Sequence, residues 1–190
     1  MENYHQNKIF DKISYKDVIV KDKEFSKCKF TNCDFSNSTF EDCDFENCIF
    51  ENCDLTTLKV NYSHFSNVIF KFCKMIGVNW DEAALPFTIT CEDSNISYSS
   101  FYGMKLKKIK IHKCIAHDVN FSEADMQLSK FNHTDLQNSV FLNTNLTKAN
   151  FENAFNYNGI DLINGKIKKA VFSMPEALVL LRNFDIILKE

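Results

Sequence analysis

Residues 25–55 run FSKCKFTNCDFSNSTFEDCDFENCIFENCDL, and the spacing inside this stretch settles the architecture. Cys28, Cys33, Cys43, Cys48 and Cys53 lie here, among 8 cysteines in the chain. A large apolar residue falls on every fifth position: Phe25, Phe30, Phe35, Phe40, Phe45, Phe50 and Leu55. A helix repeats at about 3.6 residues and a half-buried strand at about 2, so neither accounts for this spacing. The cysteine spacing C-x4-C-x9-C-x4-C-x4-C matches no zinc pattern. The cysteines instead sit two residues before the apolar centres, where a thiol acts as a small hydrophobe.

The spacing extends in both directions. Phe10, Tyr15 and Val20 precede the stretch, and Val60, Phe65, Phe70, Met75, Trp80 and Leu85 follow it. The pattern resumes one residue out of phase at Ile96, Phe101, Leu106 and Ile111, and continues to Phe151. One inserted residue near Pro86, absorbed by a bulge, explains the shift. A repeat this regular specifies a stacked, quasi-one-dimensional architecture. Two inward positions in every five suit a chain that turns a corner every five residues, so four corners close a coil of 20. Phe10/Phe30/Phe50/Phe70, Phe25/Phe45/Phe65 and Phe101/Phe121/Phe141 then form columns, with successive rings about 4.8 Å apart.

Units such as CDFEN (43–47), ADMQL (124–128) and TDLQN (134–138) resemble the A(D/N)Lxx motif of pentapeptide-repeat proteins. The resemblance covers about residues 8–156, with Lys23 and Leu58 departing from the small-residue position. It implies an all-β solenoid, a right-handed quadrilateral β-helix with a short C-terminal α-helix. The expected organisation is a single domain, residues 1–190. It has repeat runs at 8–75 and 96–156, a register break at 76–95, and a cap over 157–190. In the tail, SMPEALVLLRNFDIIL (173–188), Ser173 and Glu176 read as a capping box, with Pro175 at the helix start. The family resemblance implies a homodimer through this region, with Leu178, Leu181, Phe184, Ile187 and Leu188 at the interface.

Composition limits the function classes. The 190 residues carry a net charge of −3 and are 45% hydrophobic, which excludes disordered and fibrous classes. MENYHQNKIFDKIS lacks the pattern of a secretory leader, and no apolar run reaches the roughly 18 residues of a membrane span. The expectation is a cytoplasmic chain with reduced thiols and no membrane partner. Glycine-rich phosphate loops, catalytic triads and paired catalytic carboxylates are absent from the sequence, so neither an enzyme nor a cofactor is expected. In HKCIAHD (112–118), His112 and His117 point outward while Cys114 points inward, so no metal site is expected either.

Charge is the informative remainder. Residues 31–58 contain Asp34, Glu41, Asp42, Asp44, Glu46, Glu51 and Asp54 and no Lys or Arg. By contrast MKLKKIKIHK (104–113) is basic. Any soluble rod needs a charged exterior, yet a period of 20 stacks Asp34 with Asp54 and Glu24 with Asp44. Like charges facing each other on adjacent strands are mildly destabilising, which points to a use for them. The length, the interruption GVNWDEAALPFT (77–88) and the tail further resemble the quinolone-resistance (Qnr) and microcin B17 immunity group. That resemblance implies binding to DNA gyrase, and to topoisomerase IV, by imitation of DNA, with protection from quinolones or a peptide toxin. The expected contact residues are Glu24, the seven carboxylates above, Asp118, Glu123, Asp125 and Asp135, with a further contact at Trp80, Asp81 and Glu82. Direct nucleic-acid binding is not expected. The alternative is a protein-interaction scaffold with no topoisomerase target.

Overall fold

The computed structural model describes residues 3–184, 186 and 187. They form a parallel β-solenoid of about 8 turns. Phe10 pairs with Phe30, Phe30 with Phe50 and Phe50 with Phe70, so each early coil takes 20 residues. The extra residue sits in the strand Ala84–Glu92, which pairs with His64–Lys71. Ala84 lies opposite His64, Phe87 opposite Phe65 and Ile89 opposite Val68, so the offset passes from 20 through 22 and settles at 21. From Asn95 opposite Ile115 onward it is 20 again.

The corners have a common cause. Positive φ recurs at every fifth residue from Asn7 to Phe72, with values of 51–57°. The left-handed region disfavours an L-residue by about 1–2 kcal/mol, and Asn and Asp tolerate it best. They hold many of these positions, including Asp22, Asn32, Asn37, Asp42, Asn47, Asn52 and Asn67. The bend is offset by hydrogen bonds it allows to the next coil, such as Asn32 N–H to Glu51 O at 3.0 Å and Asp42 N–H to Asn61 O at 3.0 Å.

Each corner turns the next apolar centre inward. Phe30 stacks on Phe50 with ring centroids 4.5 Å apart, Phe25 on Phe45 at 5.0 Å, and Phe131 on Phe151 at 4.7 Å. Burying each such ring contributes about 1.5–3 kcal/mol, with more from the ring pairs. All 8 cysteines are buried and free. The thiols of Cys28, Cys33, Cys43, Cys48, Cys53 and Cys73 donate to carbonyls one coil back, as Cys48 Sγ does to Phe25 O at 3.2 Å. Hydroxyls in the same slot bridge coils both ways: Ser139 Oγ donates to Ala116 O at 2.6 Å and accepts from Val119 N–H at 3.0 Å.

The coil continues past the expected limit at 156. Asn145 pairs with Lys166, and Asn150–Phe151 pairs with Val171–Phe172. A second irregularity hid this from the five-residue count, because Phe141 pairs with Ile160, 19 residues on, before the offset becomes 21. Gly159 makes the short step possible, since a Cβ there would lie 2.0 Å from Ser139 O. The tail also differs from expectation. Its helix, Glu176–Phe184, is of the 3-10 type. Ser173 and Glu176 do not form a capping box, because both face the preceding coil. Ser173 Oγ accepts from Asn153 N–H at 3.0 Å and Glu176 Oε1 accepts from Asn156 N–H at 2.8 Å. Val179 and Leu180 pack on the end of the core.

Candidate functional site

The square cross-section gives the rod four edges, each a column of corner residues. One edge runs through Asp22, Asp42, Tyr62, Gly103, Glu123 and Asn143, as the coil-to-coil bonds from Asp22 N–H to Glu41 O and from Glu123 N–H to Leu142 O establish. The 3-10 turn Trp80–Glu82 interrupts this same edge, where Tyr62 N–H donates to Glu82 O at 3.1 Å. Acidic residues that are far apart in sequence therefore meet. Asp42, Asp81, Glu82 and Glu123 lie along the edge, and Glu24, Glu41, Asp44 and Asp125 flank it.

The other expected contacts are dispersed. Asp34, Asp54 and Asp135 form a column on a different face. Glu51 and Glu46 belong to two further edges, and Asp118 to the edge opposite Glu46. Trp80 is a correction, because its side chain is fully buried and lies against Phe65, Phe70, Phe87 and Phe101. It supports the 81–82 turn from within and has no surface to offer a partner. At the tail, Leu178, Phe184 and Ile187 are exposed and Leu181 is half-buried, while Leu188 lies outside the described residues.

The count of acidic residues over 31–58 also overstated the field there. Stacking brings lysines from neighbouring coils beside those carboxylates. Lys21 pairs with Glu41 and lies 3.9 Å from Asp42, Lys29 lies 2.7 Å from Glu51, and Lys74 lies 3.8 Å from Asp54. Asp34 accepts the Ser36 N–H at 2.9 Å, and its hydrogen bonds with Ser36 hold its carboxyl below the ordinary aspartate range. For Asp135, burial opposes ionisation, but hydrogen bonds from Asn156 at 2.8 Å and His117 at 2.7 Å prevail and lower its pKa. Glu24, Asp44, Glu46, Asp81, Glu82, Asp118 and Glu123 are exposed and in no ion pair among the described residues. Five of these seven, Glu24, Asp44, Asp81, Glu82 and Glu123, lie on or beside the one edge, so it remains the strongest acidic feature. No group of three or more His, Cys, Asp and Glu is placed to hold a metal among the described residues.

Two family models match the chain, one described as a pentapeptide repeat region over residues 23–101 and one described as pentapeptide repeats (8 copies) over 124–155. The chain is a pentapeptide-repeat protein. Among solved structures this pentapeptide-repeat protein is similar to a trypsin-treated variant of QnrB1, a plasmid-mediated fluoroquinolone resistance protein. Identity is 17% and the TM-score 0.62, over 98% of this chain and 92% of that one. It is also similar to HetL, involved in heterocyst differentiation regulation in the cyanobacterium Nostoc sp. strain PCC 7120. There identity is 15% and the TM-score 0.58, over 87% of each chain. At these identities the likeness is one of fold. No curated protein sequence matches the chain. No helix among the described residues is long and apolar enough to cross a membrane.

Proposed function

We propose that this pentapeptide-repeat protein binds DNA gyrase, and topoisomerase IV through the same surface, and protects the enzyme from a quinolone or a peptide toxin without catalysing a reaction itself. The observation that carries this is the convergence of Asp42, Asp44, Asp81, Glu82, Glu123 and Asp125 along one edge of a straight rod. A line of carboxylates resembles a phosphate strand in sign and shape and suits a basic DNA-binding groove. In density it is sparser. From Asp22 to Glu123 the edge spans five coil spacings, about 24 Å, over which a duplex carries about 14 charges. Charge therefore steers the encounter, and the projecting 81–82 turn supplies local shape. The same reading takes the chain as a homodimer joined through Leu178, Leu181, Phe184 and Ile187, in the cytoplasm. A monomeric mass in solution would remove that part.

The test is a gyrase supercoiling assay with and without a fluoroquinolone. Wild-type protein should restore supercoiling in the presence of the drug. D42N/D44N/E123Q should lose at least tenfold in protective potency, a change of about 1.4 kcal/mol, and the loss should shrink as salt rises. Full protection by the triple variant would sink the acidic edge as the contact. The fold shared with HetL favours a second reading, a scaffold for other proteins. A pull-down that recovers no gyrase subunit would favour that scaffold.

A further inference from the structure

The edge next to the acidic one changes sign along its length. It passes through Lys27, Asn47 and Asn67 in the first coils, and through Lys108, Leu128, Lys148 and Lys169 in the later ones. Lys107 and Lys168 are the corner neighbours of Lys108 and Lys169, so five lysines lie on the ridge itself. Lys105 and Lys166 stand on one flank, in the column Lys105–Asp125–Asn145–Lys166, and Lys110 pairs with Lys130 on the other. All nine are exposed, and none forms an ion pair among the described residues. Asp125 is the one carboxylate within 105–110, 125–130, 145–150 and 166–171, and its oxygens are engaged by the Gln127 amide at 3.0 and 3.1 Å. At the end nearest the bulge the ridge opens into a hollow of about 280 Å³. Its lining includes Lys107, Lys108, Lys110, Asn67, Thr88 and Thr90.

We propose that this ridge docks on the phosphate backbone of double-stranded nucleic acid. A solvated exterior normally mixes both signs, whereas nine cations here face one carboxylate. An acidic protein fits less well, because protein interfaces are depleted of Lys and built around aromatic, Met and Arg anchors. Leu128 and Val171 are the only exposed large apolar side chains within residues 105–110, 125–130, 145–150 and 166–171. Aromatic platforms for unstacked bases are also absent from those residues, which argues for a duplex over a single strand. The ridge is convex, with cations on both flanks, and its three coil spacings cover about 14 Å. Cations on both flanks suit a groove with a phosphate strand on each side, and about 14 Å is the length of ridge available along it. The hollow takes one phosphate among its lysines and hydroxyls. Lysines contribute charge without base readout, so binding is independent of sequence. The proposal reverses the sequence expectation of no nucleic-acid contact. It does not depend on a topoisomerase partner.

The experiment is fluorescence anisotropy of a labelled duplex of about 20 base pairs, titrated with the full chain between about 50 and 200 mM salt. If all nine lysines engage, the log–log salt slope is about −8, and K108Q/K110Q/K130Q/K148Q brings it to about −4.5. K12Q/K16Q, at the other end of the rod, should leave both affinity and slope unchanged. Circular dichroism of each variant confirms that the solenoid is intact. Absence of binding at about 50 mM salt overturns the proposal, as does a slope unmoved by the quadruple substitution. Polyglutamate that competes as well as unlabelled duplex at equal charge also overturns it and makes an acidic protein the partner. Because gyrase is absent from the titration, these outcomes are distinct from failure of the protection assay.

Discussion

The hydroxyl of Tyr157 is buried and has no hydrogen-bond partner among the described residues. Its ring packs between Phe151, at 5.7 Å, and Phe172, at 5.5 Å, and burial followed by the Glu176 charge pushes its pKa up to about 12. A buried polar group without a partner costs about 1–3 kcal/mol. Tyr157→Phe keeps the ring and removes that term, so thermal unfolding should shift upward by about 2–4 °C. A lowered midpoint would show that the hydroxyl does useful bonding. This residue was illegible in the sequence for a physical reason. The five-residue count puts a centre at Asn156, but Asn156 takes the left-handed corner and Tyr157 fills the core. The phenylalanine columns were legible because inward direction depends only on spacing. The corner residues were not, since Asn and Asp at that slot look like ordinary surface polarity until their φ is seen.

Short parallel strands stack well along the coil, but the last coil leaves backbone donors without a successor. The tail supplies two of the missing acceptors through Ser173 and Glu176. S173A/E176Q should therefore lower stability by about 1–2 kcal/mol, mostly through Ser173 and the lost charge at position 176, read as a lower denaturant midpoint at unchanged slope. An unchanged midpoint would mean that water replaces both acceptors without loss. At this scale the sequence misled where pairing spans coils. A run without Lys or Arg over 31–58 looked uniformly acidic, yet Lys21, Lys29 and Lys74 reach carboxylates in it that lie 20, 22 and 20 residues away. The basic ridge was half visible as MKLKKIKIHK. Lys166, Lys168 and Lys169 join it only once the 19- and 21-residue offsets of the last coil are known.

For the whole rod, acid is the informative stress. Asp34, Asp135 and Asp161 have pKa values lowered from the ordinary 3.8 in the folded state. A depressed carboxylate contributes its full stability above the unfolded value and loses it as pH falls through the folded one. Stability should thus hold down to about pH 5 and decline below about pH 4. Asp135→Asn should remove part of that acid limb and about 1 kcal/mol at neutral pH, the loss being modest because the site is partly solvated. An acid limb of unchanged steepness would acquit Asp135. The two charged edges also act on the molecule as one body. They lie side by side, acidic along much of the length and basic toward the tail, so the rod carries an electric moment across its axis as well as along it. A charged partner exerts a torque on such a body within a Debye length, about 8 Å at physiological salt. The rod is turned about its long axis before it touches anything, and a solenoid with four similar sides arrives with one of them already chosen.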